Sequence, residues 1–169
     1  VLIQLGENEK NIFVIGSPDI DIMNSGNLPT LKESRKKYQI PFTDYGILLF
    51  HPVSSEIEKI KKQIEGIVSA VIDSKENFIV VYPNNEEGAD VILKEYKKLK
   101  KNSKFKIFPS IRFEYFLTFL KNSKFILGNS SVGIRESVVY GIPSINIGTR
   151  QNNRSKNKNI LNIEIEHDE

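Results

Sequence analysis

Between residues 45 and 147, short apolar runs alternate with amphipathic stretches, and this alternation constrains the fold more than any other feature. The apolar runs are residues 45–50 (YGILLF), 77–82 (NFIVVY), 104–108, 125–127 (FIL) and 143–147 (PSINI). Each has strand length, and the near-continuous apolar character of the first two predicts strands covered on both faces. Between them lie helical stripes: Ile57, Ile60, Ile64, Ile67, Val68 and Val71, capped by Ser54 or Ser55; Ala89, Ile92, Leu93, Tyr96 and Leu99 within 86–100; and Phe113, Phe116, Leu117 and Leu120. Strand and helix in turn predict βαβ units with right-handed crossovers. The fold class is therefore α/β, a parallel sheet flanked by helices.

The flanks are less regular. Residues 11–15 (NIFVI) read as a short β-type run closed by Gly16-Ser17-Pro18, and residues 19–23 as a brief helix. Thr30 and Glu33 form a capping box for a helix over 30–38. Residues 1–40 are expected to be an interdomain connector with leading helices. A polar loop follows residue 147, and residues 160–165 (ILNIEI) are a further strand. The opening VLIQLG, without an initiator methionine, reads as mid-protein, so the chain is expected to be a fragment.

Composition excludes several classes. The 169 residues suffice for one domain with a core. A net charge of +3 arises largely from lysine runs that read as solvated surface, so no nucleic-acid partner is expected. No cysteine is present, which removes disulfides and thiolate metal sites. With only His51 and His167 available, no metal is expected, and no cofactor. No apolar run is long enough for a membrane span, and the cytoplasm is the expected compartment. His167, in a charged tail, reads as inert.

Residues 124–136 (KFILGNSSVGIRE) carry the most chemistry. A strand stopping at Gly128, small polar residues, then a helix start aims backbone N–H groups at one point, which suits a phosphate. In a parallel sheet, ligands bind at the carboxyl ends of strands. His51, Asn84, Ser110, the loop 129–131 and the turn 148–150 all fall there, so the fold gathers them on one rim. Each has a plainer reading. His51 could be a histidine satisfied by a backbone carbonyl, and Asn84 a turn residue. Phe116 could be core, and Ser130 and Ser131 helix caps. Glu136, Arg150 and Arg154 could be solvated charges. Motifs for dinucleotide, P-loop, zinc-protease or serine-hydrolase chemistry do not occur.

These residues carry a resemblance. IFVIGSPDID (12–21), HPVSSE (51–56), YPNNEEG (82–88), GNSSVGIRE (128–136) and YGIPSINIGTRQNNR (140–154) occur in the order found in the C-terminal half of UDP-N-acetylglucosamine 2-epimerases. NSSVG, where the non-hydrolysing branch has a DSGG-like form, and HPVSSE for an HRREN-like form make the chain similar to the hydrolysing branch, which serves sialic acid and related nonulosonate synthesis. The resemblance implies a Rossmann-like domain, one half of a glycosyltransferase-B-like enzyme. This half would bind UDP; the absent N-terminal half would supply the C2 base and most sugar contacts. It implies Ser130, Ser131 and Arg150 at phosphate, Glu136 at the ribose, Asn84 and Phe116 in the nucleotide pocket, and Ile111 at the uracil. Arg154 is a weaker match. His51 is implied as the catalytic or diphosphate-contacting histidine.

The implied reaction eliminates UDP from UDP-N-acetylglucosamine through 2-acetamidoglucal, then adds water to give N-acetylmannosamine. The resemblance also implies a UDP-sugar partner, the missing N-terminal domain and a homo-oligomeric full-length enzyme. Two alternatives stay open: the same fold acting on a UDP-2,4-diacetamido-trideoxyhexose, as in legionaminic acid routes, and a non-catalytic nucleotide-binding module.

Overall fold

A computed structural model describes residues 1–164; His167 and the last residue of the predicted strand 160–165 lie outside the described residues. Six parallel strands form one sheet in the order β3-β2-β1-β4-β5-β6. They are β1 (Gly46–Leu49), β2 (Phe78–Val81), β3 (Phe105–Phe108), β4 (Phe125–Gly128), β5 (Ser144–Ile147) and β6 (Ile160–Ile163). The chain runs outward from β1 to β3, then returns to the other side of β1 with β4. The strand order thus reverses between β1 and β4, and the crevice at a reversal is where such sheets take ligands.

Alternation along β1 sends side chains to two cores. Leu48 and Phe50 pack with α3 (Ile60–Asp73) and α4 (Ala89–Tyr96) through Ile64, Val68 and Ile92. Ile47 and Leu49 pack on the opposite face with Phe116, Phe119 and Leu120 of α5 (Phe113–Lys121). Gly46 leaves room for the Phe78 and Phe125 rings, which meet edge to face at 5.7 Å. A Cβ there would lie 2.7 Å from Phe125.

The capping box forms as expected on α2 (Leu31–Tyr38): the Glu33 N–H donates to Thr30 Oγ1 at 3.3 Å, and the Thr30 N–H to Glu33 Oε2 at 2.8 Å. The α2 helix packs on α5, with the Tyr38 ring against Phe108, Tyr115 and Phe119. Residues 30–40 therefore belong to the folded body. The brief predicted helix is α1 (Pro18–Asn24).

Four local expectations are corrected. Residues 11–15 form no strand. Phe13, Val14 and Ile15 are 78%, 98% and 78% exposed, and no neighbouring strand offers the ladder that an extended run needs. The helix expected from Ser54 is a 3-10 segment, Ser54–Lys59, capped at Val53 without a side-chain bond and kinked at Glu56 before α3 begins. The helix expected over 86–100 starts late, because Gly88 adopts φ +86°, and it tightens to a 3-10 turn over Lys97–Lys101. The helix after β4 is broken into a 3-10 turn, Ser131–Gly133, and a four-residue α6, Glu136–Val139. Arg135 between them has φ −115° and ψ −74°. After β4, then, no long helix begins at the rim, whereas the first turn of the nine-residue α5 reaches it at Phe113. Among the described residues no helix is long and apolar enough to cross a membrane.

Candidate functional site

At the carboxyl ends of β1 to β5 an open cavity of about 410 Å³ is lined by His51, Asn84, Ile111, Phe116, Ser130, Ser131 and Arg150, among others. With Ser110, eight of the residues singled out from sequence thus line one cavity. Its size is that of a small-molecule site. Phe116 serves both readings, since it is 92% buried in the α5 core and also faces the cavity.

The close approach of β4 to β1 sets the geometry. Gly128 ends β4 with φ +137°, and a Cβ there would lie 2.1 Å from the Leu49 carbonyl oxygen. Only glycine fits, so the chain turns at once into Asn129. The Asn129 side chain then continues the β1–β4 pairing: the His51 N–H donates to Asn129 Oδ1 at 2.7 Å, and Asn129 Nδ2 donates to the His51 carbonyl at 2.8 Å.

His51 is 95% buried. The Asn84 N–H donates to its Nδ1 at 3.1 Å, so the imidazole proton is on Nε2. Burial, with Arg150 adding to it, pushes the imidazole pKa down to about 4, while Glu86 opposes. At neutral pH His51 is therefore an uncharged imidazole with one N–H to give. The plainer reading, a histidine held by a backbone carbonyl, does not describe its ring, which accepts from a backbone N–H.

Arg150 is held by protein groups. Its Nη1 donates to the Asn129 carbonyl at 3.3 Å, and its Nη2 lies 4.0 Å from Glu86 Oε1. The same Glu86 oxygen accepts from Asn84 Nδ2 at 3.2 Å. Ser130 caps the 3-10 turn, accepting from the Val132 N–H at 3.4 Å, and still lines the cavity.

Two predicted residues stand apart. Glu136 lines a neighbouring cavity of about 240 Å³ with Ser17, Asp19, Ile20, Met23, Arg135 and Val139. It is 92% buried, and its Oε2 has no hydrogen-bond partner. Arg154 does not reach the first cavity wall; its Nη1 donates to Gln151 Oε1 at 2.9 Å. Gln151 in turn donates to the Asn129 carbonyl at 2.9 Å.

Sequence reasoning missed Asn129 and Gln151 as organisers and Glu86 as the partner of Arg150. It also missed Glu56, which accepts from Gln63 Nε2 at 2.8 Å and from the Thr149 hydroxyl, tying the turn after β5 to the 3-10 segment. Asn129 was within reach of a reading by type, as a short amide directly after a strand-ending glycine. The others join residues far apart in sequence and leave no local signal.

A reversed-order parallel sheet whose strand ends carry serines, an arginine and a neutral histidine defines an α/β, Rossmann-like domain with a polar, cation-bearing rim. A family model described as UDP-N-acetylglucosamine 2-epimerase matches residues 1–169, and the chain belongs to that family. It is 48% identical over 165 residues to a UDP-N-acetylglucosamine 2-epimerase of Neisseria meningitidis serogroup B, covering 98% of this chain and 44% of that protein. A hydrolysing UDP-N,N'-diacetylbacillosamine 2-epimerase of Legionella pneumophila is 29% identical over 168 residues, covering 99% of this chain and 45% of that protein. The chain thus spans less than half the length of these relatives. The fold matches that of the Methanocaldococcus jannaschii UDP-GlcNAc 2-epimerase in complex with UDP-GlcNAc and UDP. The TM-score is 0.63 at 22% identity, covering 96% of this chain and 47% of that one.

Proposed function

We propose that this chain is the UDP-holding, C-terminal half of a hydrolysing UDP-N-acetylglucosamine 2-epimerase, whose N-terminal half carries the C2 base. The observation that carries the reading is the convergence of His51, Ser130, Ser131 and Arg150 on one cavity at the sheet's reversal point. Sequence identity to the Neisseria enzyme supports the choice of nucleotide sugar.

In this reading the diphosphate sits against Ser130, Ser131 and Arg150, and the base lies along Ile111 and Phe116. Departure of UDP concentrates charge on the diphosphate, and groups already aimed there stabilise it as it forms. His51 gives its Nε2 hydrogen as a bond donor from the neutral ring. A bound dianion favours the imidazolium and raises its pKa, which brings proton donation within range. Asn84 fixes the tautomer that makes this donor available. A ribose contact from Glu136 requires the ligand to extend into the neighbouring cavity and the buried, unpartnered Oε2 to become accessible there. Arg154 acts through Gln151.

The Legionella relative supports a second reading, in which the sugar is a diacetamido-trideoxyhexose on UDP. Comparing kcat/KM of the whole-length enzyme on UDP-GlcNAc and on UDP-N,N'-diacetylbacillosamine decides between them. The same assay tests the division of labour. The whole-length enzyme is expected to release UDP and N-acetylmannosamine, and this chain alone to bind UDP weakly without turnover. UDP release by this chain at the whole-length rate would sink the proposal.

A further inference from the structure

One buried residue, Asn129, joins three of the five strand ends that form the rim. Asn129 is 1% exposed, and every polar group it offers in these contacts is used. Its side chain binds both the N–H and the carbonyl of His51, at 2.7 and 2.8 Å. Its own carbonyl collects Arg150 Nη1 at 3.3 Å and Gln151 Nε2 at 2.9 Å. His51 leaves β1, Asn129 leaves β4, and Arg150 and Gln151 leave β5. These strands are neighbours, but their last ladder partners are Leu49 with Gly128 and Gly128 with Asn146. Beyond those rungs the backbone ladder ends, and Asn129 supplies what holds the strand ends in register.

We propose that Asn129 is a positioning residue that fixes the His51 imidazole and the Arg150 guanidinium relative to each other, so that both address the same diphosphate. The proposal rests on the nucleotide reading above for the identity of the ligand. The assignment of the residue itself rests on the four contacts. Two of these contacts, to Arg150 and Gln151, use the backbone carbonyl, which any residue offers; the two bonds to His51 need an amide side chain. A carboxylate keeps an acceptor for the His51 N–H but has no donor for the His51 carbonyl, and an aliphatic side chain leaves both groups buried without partners. The segments so joined supply His51, Ser130, Ser131 and Arg150 to the cavity lining. Ile111 and Phe116, which also line the cavity, come from α5 and its approach and have no bond to Asn129. Loss of Asn129 is therefore expected to affect diphosphate recognition and to spare the apolar side.

The test uses this chain with Asn129→Ala and the near-isosteric Asn129→Asp, titrated with UDP and with uridine, and with the His51 ring observed by long-range proton–nitrogen NMR. In the unaltered chain the ring is expected as a single Nε2–H tautomer. In both variants UDP affinity is expected to fall at least tenfold and uridine affinity less than twofold, and the ring to show a mixture of tautomers. If UDP and uridine weaken alike and the ring keeps one tautomer, Asn129 is merely structural and the proposal is overturned. Should Asn129→Ala fail to fold, Asn129→Asp carries the same readings. Should the unaltered chain bind no UDP, the nucleotide reading falls, and the tautomer alone decides the role of Asn129: a single unchanged tautomer in the variants overturns it.

Discussion

His51 and Gly128 show how much rests on single residues at the sheet's reversal point. His51 is held neutral by burial, with its pKa down at about 4 against an ordinary value near 6.5. The unfolded chain therefore binds the proton more readily. The stability this histidine contributes is complete above about pH 6.5 and is lost as pH falls toward 4, at most about 3 kcal/mol in all. Urea unfolding midpoints at pH 7 and pH 4.5 should show this share of the acid loss in the native chain. The share should be absent in His51→Gln; an equal acid loss in both would contradict the assignment. Gly128 has no alternative residue, because its φ of +137° and the Leu49 carbonyl 2.1 Å from any Cβ forbid one. Gly128→Ala is expected to cost more than about 3 kcal/mol or to prevent folding, as measured by thermal or urea denaturation. A change under about 1 kcal/mol would contradict the close approach of β4 to β1. The residue types of both positions were visible in the sequence. The reasons for them were not, since each depends on a strand paired from a distant part of the chain.

Among the elements, the strands of the sheet were legible, though the run over 11–15 was not one of them, and helix starts mostly were not, the capped start of α2 excepted. Continuous apolar runs such as those of β1 and β2 can be satisfied only inside a sheet, so their pattern survives translation into structure. Helix boundaries depend on local backbone choices that periodicity does not report. Gly88 at φ +86° delays α4, and that delay leaves Glu86 in a loop beside Arg150 rather than on a helix face. The loop has a functional consequence. Glu86 engages both Arg150 and the Asn84 amide, so in the proposed UDP site an incoming phosphate would have to compete with it. Glu86→Gln is expected to tighten UDP about three- to fivefold, which matches the modest worth of a half-exposed ion pair. Isothermal titration of the two proteins measures it, and weaker binding by the variant would show that Glu86 instead holds Arg150 in its useful pose. The broken helix after β4 carries a similar lesson. The sequence supports a single anion-directed helix after β4, whereas the structure supplies a 3-10 turn and a four-residue helix there, so a phosphate in the proposed site would meet local N–H groups and Arg150 rather than a long helix dipole.

For the molecule as a whole, the sheet order makes the site. Residues 46–49 and 125–128 come together only because the chain reverses direction across β1, and the rim residues follow from that placement. The α/β class and most of the cavity wall were readable from strand alternation and from polar residues at strand ends. Glu136 fell outside the wall because spacing along a chain does not report which of two adjacent cavities a short helix faces, and Arg154 because its guanidinium is bonded to Gln151 in the turn after β5. The central claim is that this rim is a UDP site, and calorimetric titration of the chain with UDP, ADP and GDP tests it most directly. UDP is expected to bind at least tenfold more tightly than either purine nucleotide, with the preference kept but the UDP affinity reduced in Arg150→Ala. Equal binding of all three, or UDP binding unaffected by loss of Arg150, would contradict it.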